Sequence, residues 1–452
     1  MLISCSFKSL LEKFENCNTI RVLNGFCKVL IRIFEMKHIF MITQNSLTQE
    51  FIEKEETFNA HNYHPLPVVI ESAKGVMMYD VEGKDYFDFL SAYSAVNQGH
   101  CHPRLVNVMI DQLQRLTLTS RAFHNDRLGA FAQYITDFFG YDKVLPMNTG
   151  VEAVETALKL CRRWAYRVKG LADNTAKIIV CEGNFHGRTT GVISFSSDPD
   201  SFGGFGPYMP NYVLVPYGDI NALKEALKDP SVAGFMLEPI QGEAGVVVPP
   251  AGFINAAYDA CKAANVLFIA DEVQTGLART GKMLCCDHFG IRPDIIVLGK
   301  ALSGGMMPVS AVLADDEIML LIKPGEHGST FGGNPLACVV AMEALAILKD
   351  EEMVLNARIM GELFRDEIKS WRHPLIKEVR GMGLLNAIEL NAIDANTGWD
   401  ICMLMKEEGL LAKPTHGDKI RFAPPLCINR AEMQKALQLI RKGFDTYWGR
   451  RH

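Results

Sequence analysis

Lys300 follows the β-branched run Ile295-Ile296-Val297-Leu298 and a glycine, and it precedes the turn-like Ala301-Leu302-Ser303-Gly304-Gly305. Upstream, a second apolar run, Val266-Leu267-Phe268-Ile269-Ala270, ends on Asp271. In an open parallel sheet, ligands bind at the carboxyl ends of the strands. An amine and a carboxylate on two such ends suit one piece of chemistry. The amine forms a Schiff base with the aldehyde of pyridoxal 5'-phosphate, and the carboxylate partners its pyridine nitrogen. Either residue alone reads as a solvated strand end, so the pair needs a phosphate site beside it.

Asn148-Thr149-Gly150-Val151-Glu152 supplies a candidate. Val151, Val154, Leu158 and Cys161 fall at i, i+3, i+7 and i+10, one face of a helix. A glycine at that helix start lets a phosphate approach free backbone N–H groups and the positive end of the dipole. Ser329-Thr330, inside the glycine-rich segment 328–333, is either a second phosphate donor or a plain loop. Phe185 follows the apolar run 178–181 and is either a ring platform or core. Arg188 and Arg421 are candidate carboxylate clamps, because a guanidinium pairs bidentately with a carboxylate.

Two other patterns carry less. His100-Cys101-His102 has no second ligand pair at zinc-like spacing and reads as a polar turn before Pro103. Gly276 to Lys282 matches the phosphate-loop spacing, but Met283 stands where Ser or Thr must meet magnesium. No G-x-G-x-x-G follows a strand. Nucleotide-triphosphate and dinucleotide chemistry are thereby excluded.

The elements that must position these groups are legible in outline. Strand-like runs at 178–181, 212–215, 233–237, 266–270 and 295–298 alternate with helical stretches. That rhythm predicts a largely parallel α/β sheet covered on both faces. Residues 75–89 alternate around Glu82-Gly83, a hairpin signature. Beyond about 340 the pattern turns to longer helices, with a hairpin-like Gly381-Met382-Gly383, an α+β end domain. The expected division is an extension over 1–42, an N-terminal segment over 43–100, a large cofactor domain over 101–335 and a small domain over 336–452.

Composition agrees with an enzyme of this kind. A chain of 452 residues, 48% hydrophobic and 22% charged, has room for two or three packed units. The net charge of −6 is spread without runs, which speaks against nucleic acid or an anionic membrane as partner. Twelve cysteines without a C-x-x-C pair read as reduced thiols. Between Arg21 and Met41 charges interrupt the apolar stretch too often for a membrane span. Glu12, Glu15 and Glu35 disfavour a mitochondrial presequence. The expected compartment is the cytoplasm, with the mitochondrial matrix as the alternative, and Met36 or Met41 is an alternative start.

Residues from about 60 to 445 resemble the class III, fold-type I pyridoxal-phosphate aminotransferases, and within them the ornithine branch. The segments that carry the resemblance are Tyr63 to Val68, Phe89 to His100, Pro146 to Glu152, Glu238 to Gly245, Asp271 to Gly276 and Leu298 to Gly305. The resemblance implies that Lys300 holds the cofactor and shuttles the proton, and that Asp271 keeps the pyridine nitrogen protonated. It implies Gln274 at the ring hydroxyl, Phe185 stacked on the ring, and Gly150 and Val151 at the phosphate. Ser329 and Thr330 would join them there, Thr330 from the neighbouring subunit of a homodimer with shared sites.

For substrates the resemblance implies L-ornithine as amino donor and 2-oxoglutarate as acceptor, giving glutamate 5-semialdehyde and L-glutamate. Tyr63 and Arg188 would bind the distal carboxylate, and Glu243 would mask Arg421 until the oxo acid arrives. Tyr93 is similar to the aromatic that separates the ornithine branch from the γ-aminobutyrate branch. His186 departs from the pattern, since animal members usually carry tryptophan there, and Phe185-His186-Gly187-Arg188 is similar to the acetylornithine aminotransferases. N-acetylornithine or another ω-amino acid therefore stands as the alternative donor.

Overall fold

The computed structural model describes residues 46–451, so the extension expected over 1–42 lies outside the described residues. Two units are distinct: 46–71 with Asp80–Lys84, and Ser72–Tyr79 with the chain from Asp85 onward. The smaller unit carries the helix Leu47–Phe58. Ser46 caps it by accepting the Gln49 N–H, and none of its residues is buried.

The larger unit is built on a seven-stranded sheet. From edge to edge it runs Lys143–Met147, Ser310–Ala314, Ile295–Leu298, Leu267–Asp271, Val232–Leu237, Lys177–Cys181 and Tyr212–Val215. The last five strands are the five expected runs, within one residue at each end, and they pair in parallel. Ser310–Ala314 runs antiparallel to both of its neighbours. Neither it nor Lys143–Met147 stands out in the sequence. Pro146 weakens the strand signal of the latter, and the structure places it on the sheet edge, where a strand tolerates proline.

Both faces of this sheet are covered, which is why its central strands read as unbroken apolar runs rather than alternating ones. Successive strand residues point to opposite faces. Ile269, Val297 and Val312 meet Val154, Leu158 and Cys161 of the helix Gly150–Trp164. Phe268, Phe235 and Ile179 meet Phe253, Ile254 and Ala257 of the helix Phe253–Ala263. Each such side chain contributes about 1.5–3 kcal/mol on burial. The first helix lies close: a Cβ on Gly234 would sit 2.5 Å from Cys161 Sγ.

A second, antiparallel sheet holds Ile376–Met382, Leu385–Leu390, Lys419–Phe422 and Lys413–Thr415 in that order. Its first two strands form the hairpin expected near Gly381 to Gly383, with Met382 opposite Leu385. The strand Asp85–Asp88 pairs antiparallel with residues 77–79, as the 75–89 alternation predicts, and parallel with Leu410–Leu411. Among the described residues, no helix is long and apolar enough to cross a membrane.

Candidate active site

Four neighbouring strands deliver the site. Lys177–Cys181 leads to Phe185, Val232–Leu237 to Glu238, Leu267–Asp271 ends on Asp271, and Ile295–Leu298 leads through Gly299 to Lys300. Because these strands are parallel, their carboxyl ends open on one side of the sheet. A cavity of about 250 Å³ lies there, lined by Gly150, Val151, Val154, Phe185, His186, Gly187, Glu238, Glu243, Asp271, Val273, Gln274 and Lys300.

Lys300 opens a short 3-10 turn with φ of 45°, a left-handed conformation that a non-glycine residue rarely holds. Such strain clusters at functional sites, where surrounding structure over-determines it. Burial lowers the pKa of the Lys300 amine. The charges of Glu243, Asp271 and Glu238 oppose that shift, and Arg421 adds to it. An amine in this state gives up its proton more readily than a solvated lysine.

Asp271 is buried and doubly held. Its Oδ1 accepts the Val273 N–H at 3.1 Å, and its Oδ2 meets His186 Nδ1 at 2.7 Å. Burial disfavours the charged form of His186, but the hydrogen bond and charge of Asp271, with Glu238 behind, prevail and raise its pKa. Glu238 accepts the N–H groups of Phe185 at 2.9 Å and Gly242 at 3.1 Å, so one carboxyl ties together two loops of the cavity wall. Its pKa is pushed up to about 7, first by burial; His186 opposes that and Asp271 adds to it.

The helix Gly150–Trp164 begins with a capping box. Thr149 Oγ1 accepts the Glu152 N–H, and Glu152 Oε2 accepts the N–H groups of Asn148 and Thr149. Ser310 Oγ anchors the Thr149 carbonyl at 2.7 Å. Gly150 and Val151 open the helix, where the first N–H groups have no intrahelical acceptor. These two residues line the cavity, which turns the orphan donors and the dipole toward it. Gly187 lets the 185–188 loop lie against that helix start, since its Cβ would fall 2.4 Å from Val151 Cγ2.

The expected substrate residues gather only in part. Arg421 Nη1 donates to Glu243 Oε1 at 2.7 Å, and its guanidinium carbon lies 4.9 Å from the centre of the Tyr93 ring. Burial works against the Glu243 carboxylate, yet the charge and hydrogen bond of Arg421 hold its pKa below the usual value, helped by Lys300 and Gln274. Gln274 Nε2 reaches the Tyr93 carbonyl at 3.4 Å. Arg188 is exposed, 5.5 Å from the Phe185 ring centre, and is not among the lining residues. Ser329 Oγ accepts from Asn148 Nδ2 at 2.8 Å, beside the helix start, while Thr330 is exposed and outside the lining. Tyr63 belongs to the smaller unit and is 73% exposed.

Sequence reasoning gave no role to Glu238, although it stands at a strand end as Asp271 does. The same signal, an apolar run terminated by an acid, could have found it. Lys413 was also missed. It faces Arg421 across the small sheet, and only that pairing brings it near Glu243.

The donor set fits a flat, anionic aldehyde cofactor. A desolvated lysine amine, a buried carboxylate across the cavity, an aromatic wall and an anion-accepting helix start converge on one space. Gln274 Oε1 and His186 Nε2 are buried there without a hydrogen-bond partner among the described residues. These features together define a pyridoxal-phosphate site of the aminotransferase kind.

The family model Aminotransferase class-III matches residues 58–444. The mitochondrial ornithine aminotransferase of Rattus norvegicus is 56% identical over 400 residues, which is 88% of this chain and 91% of that protein. The crystal structure of the ornithine aminotransferase from Toxoplasma gondii superposes with a TM-score of 0.88 at 47% identity, covering 91% of this chain and 98% of that one. The acetylornithine aminotransferase of Elizabethkingia anophelis superposes with a TM-score of 0.82 at 54% identity, covering 89% and 100%. The chain belongs to the class III aminotransferases, enzymes that use pyridoxal 5'-phosphate.

Proposed function

We propose that the protein transfers the δ-amino group of L-ornithine to 2-oxoglutarate, giving glutamate 5-semialdehyde and L-glutamate by a ping-pong route. The observation that carries the reading is the Glu243–Arg421 pair at 2.7 Å beside Tyr93. A transaminase that takes a terminal amine first and an α-keto acid second must change what its carboxylate clamp offers. With Glu243 on Arg421, the clamp is neutralised and an α-carboxylate is not drawn to it. Released from Glu243, the guanidinium can hold the α-carboxylate of 2-oxoglutarate bidentately.

Bound pyridoxal phosphate supplies an aldehyde for the amino group and a ring that accepts the electron pair left at the substrate carbon. The chain's own residues do the rest. Gly150 and Val151 N–H groups would hold the phosphate at the helix start. Asp271, fixed by His186 and the Val273 N–H, would offer a carboxylate to the pyridine nitrogen. Phe185 would wall one face of the ring, and Gln274 would reach its hydroxyl. Lys300 Nζ, with its pKa lowered, would take the proton from the substrate carbon and deliver it to the cofactor's aldehyde carbon, which leaves the nitrogen on the cofactor.

The same proposal includes a homodimer in which Thr330 reaches the neighbour's phosphate site. It is supported by the exposure of Thr330 and Phe331 and by the position of Ser329 beside Asn148.

N-acetylornithine is the second reading, favoured by His186 and by the acetylornithine relative at 54% identity. Separate single-turnover measurements with L-ornithine, N-acetylornithine and γ-aminobutyrate decide between them. The expected result is that L-ornithine reacts fastest by at least about tenfold, a discrimination of about 1.4 kcal/mol. Faster reaction of N-acetylornithine overturns the ornithine assignment.

A further inference from the structure

The turn that carries Tyr93 winds the wrong way. Ser91, Ala92, Tyr93 and Ser94 have φ of 49°, 46°, 59° and 70°, so four successive non-glycine residues are left-handed. Each such residue is disfavoured in an L-amino-acid chain, because its Cβ crowds the following carbonyl oxygen. Such strain persists only where neighbouring contacts impose it.

Asp88 imposes it from one end. The carboxylate is fully buried, and its Oδ1 accepts the N–H groups of both Leu90 and Ser91 at 2.8 Å. Its Oδ2 meets His100 Nε2 at 2.7 Å, so the loop from 88 to 100 is closed by its own first and last residues. His100 is itself pinned, exchanging two backbone hydrogen bonds of 2.9 Å with Gly75. The histidine that looked in the sequence like half of a metal pair is therefore committed to this carboxylate.

The loop is also tied to the strand of Arg421. The Ala423 N–H donates to the Phe89 carbonyl and the Leu426 N–H to the Asn97 carbonyl, each at 2.8 Å. With both flanks of the turn fixed to the segment just beyond Arg421, its handedness decides where the Tyr93 ring falls. It falls 4.9 Å from the Arg421 guanidinium carbon, with its carbonyl facing Gln274. A right-handed turn between the same anchors would send the side chain of residue 93 another way.

We propose that Asp88 and His100 are positioning residues for substrate selection, holding 91–94 left-handed so that Tyr93 is fixed against Arg421 and sets which amino donor is accepted. The proposal rests on the ornithine reading above.

The test uses holoenzyme variants Asp88→Ala, Asp88→Asn, His100→Ala and His100→Gln, each also on a Tyr93→Ala background. The readout is the ratio of kcat/KM for L-ornithine to that for γ-aminobutyrate. Displacement of a positioning group by about 1 Å is enough for large rate changes. The ratio should fall at least about tenfold in the two alanine variants. Asn at 88 keeps the Oδ1 acceptor and Gln at 100 keeps a donor, so both should restore most of it. On the Tyr93→Ala background, the alanine variants should change the ratio by less than about twofold, because residues acting through one group are not additive. An unchanged ratio in His100→Ala, or a further tenfold loss on the Tyr93→Ala background, overturns the proposal. If Asp88→Ala does not fold, the two His100 variants decide the matter by the same ratio. A wild type that does not prefer ornithine refutes the reaction assignment instead, and the same assay separates the two failures.

Discussion

Arg421 is 6% exposed, carries a full charge beside the cavity, and leaves its Nε without a hydrogen-bond partner among the described residues. Buried charges of this kind are tolerated when paired, and removing the partner leaves the other uncompensated. In Glu243→Ala the guanidinium is left open to any α-carboxylate. The glutamate half-reaction should then hold or improve while the ornithine half-reaction loses selectivity. The relative shift should be on the order of 1–3 kcal/mol, the scale of a charged hydrogen bond. Single-turnover spectra of the two half-reactions measure it. An equal fall in both would reduce Glu243 to a structural residue.

Besides Arg421, the small antiparallel sheet holds the loop of Glu243 through Arg380. Arg380, in the strand Ile376–Met382, donates from Nε and Nη2 to the Gly245 carbonyl at 3.1 and 2.9 Å, just beyond Glu243. Its Nη1 donates to Glu389 Oε2 and Glu378 Oε2, each at 2.6 Å. The Glu389 carboxyl is held down to about 2, first by the hydrogen bond from Lys377 and then by that from Arg380. A depressed carboxylate contributes stability that is present above its unfolded pKa and lost as pH falls through the folded one. Glu389→Gln should therefore unfold more easily at pH 7, by about 2 kcal/mol and within the ~3 kcal/mol that the pKa displacement permits. Urea titrations should show the gap between the two proteins narrowing from about pH 4.5 downward. A gap that stays constant to pH 3 would mean that the pair adds nothing through ionisation.

Arg279 links parts of the chain that lie far apart in sequence. It is fully buried and donates to Asn97 Oδ1, the Leu384 carbonyl and the Pro424 carbonyl, joining the loop after Asp271 to the Tyr93 loop and to the C-terminal sheet. Burial lowers its pKa to about 9, with the charge of Asp88 working the other way. An apolar replacement of similar length, Arg279→Met, strands three buried acceptors at once. Each is worth about 1–3 kcal/mol when left unpaired. The variant should lose on the order of 3–5 kcal/mol in chemical denaturation, and a loss below about 1 kcal/mol would show that the three segments are held by packing alone.

The candidate chemical groups were legible because their signals are local. An apolar run that stops at Lys300 or Asp271, and a glycine that opens an amphipathic helix at 150, are read within a few residues, and the structure brings all three to one cavity. Periodicity likewise marked the five parallel strands, since a strand buried on both faces must be apolar throughout. Other features depend on partners that local reading cannot see. Ser310–Ala314 is antiparallel because of which strands flank it, and its own residues carry no such direction. Arg279 lies in a stretch that mimics a phosphate loop, and only its acceptors at 384 and 424 reveal a buried pin. The left-handed turn at 91–94 runs against the preference of each of its residues, so propensity points away from it. Contacts with Asp88, His100 and the 423–426 segment decide it. Sequence singled out the residues proposed to react, and tertiary structure decided what each one faces, because facing depends on chain segments brought together from far apart in the sequence.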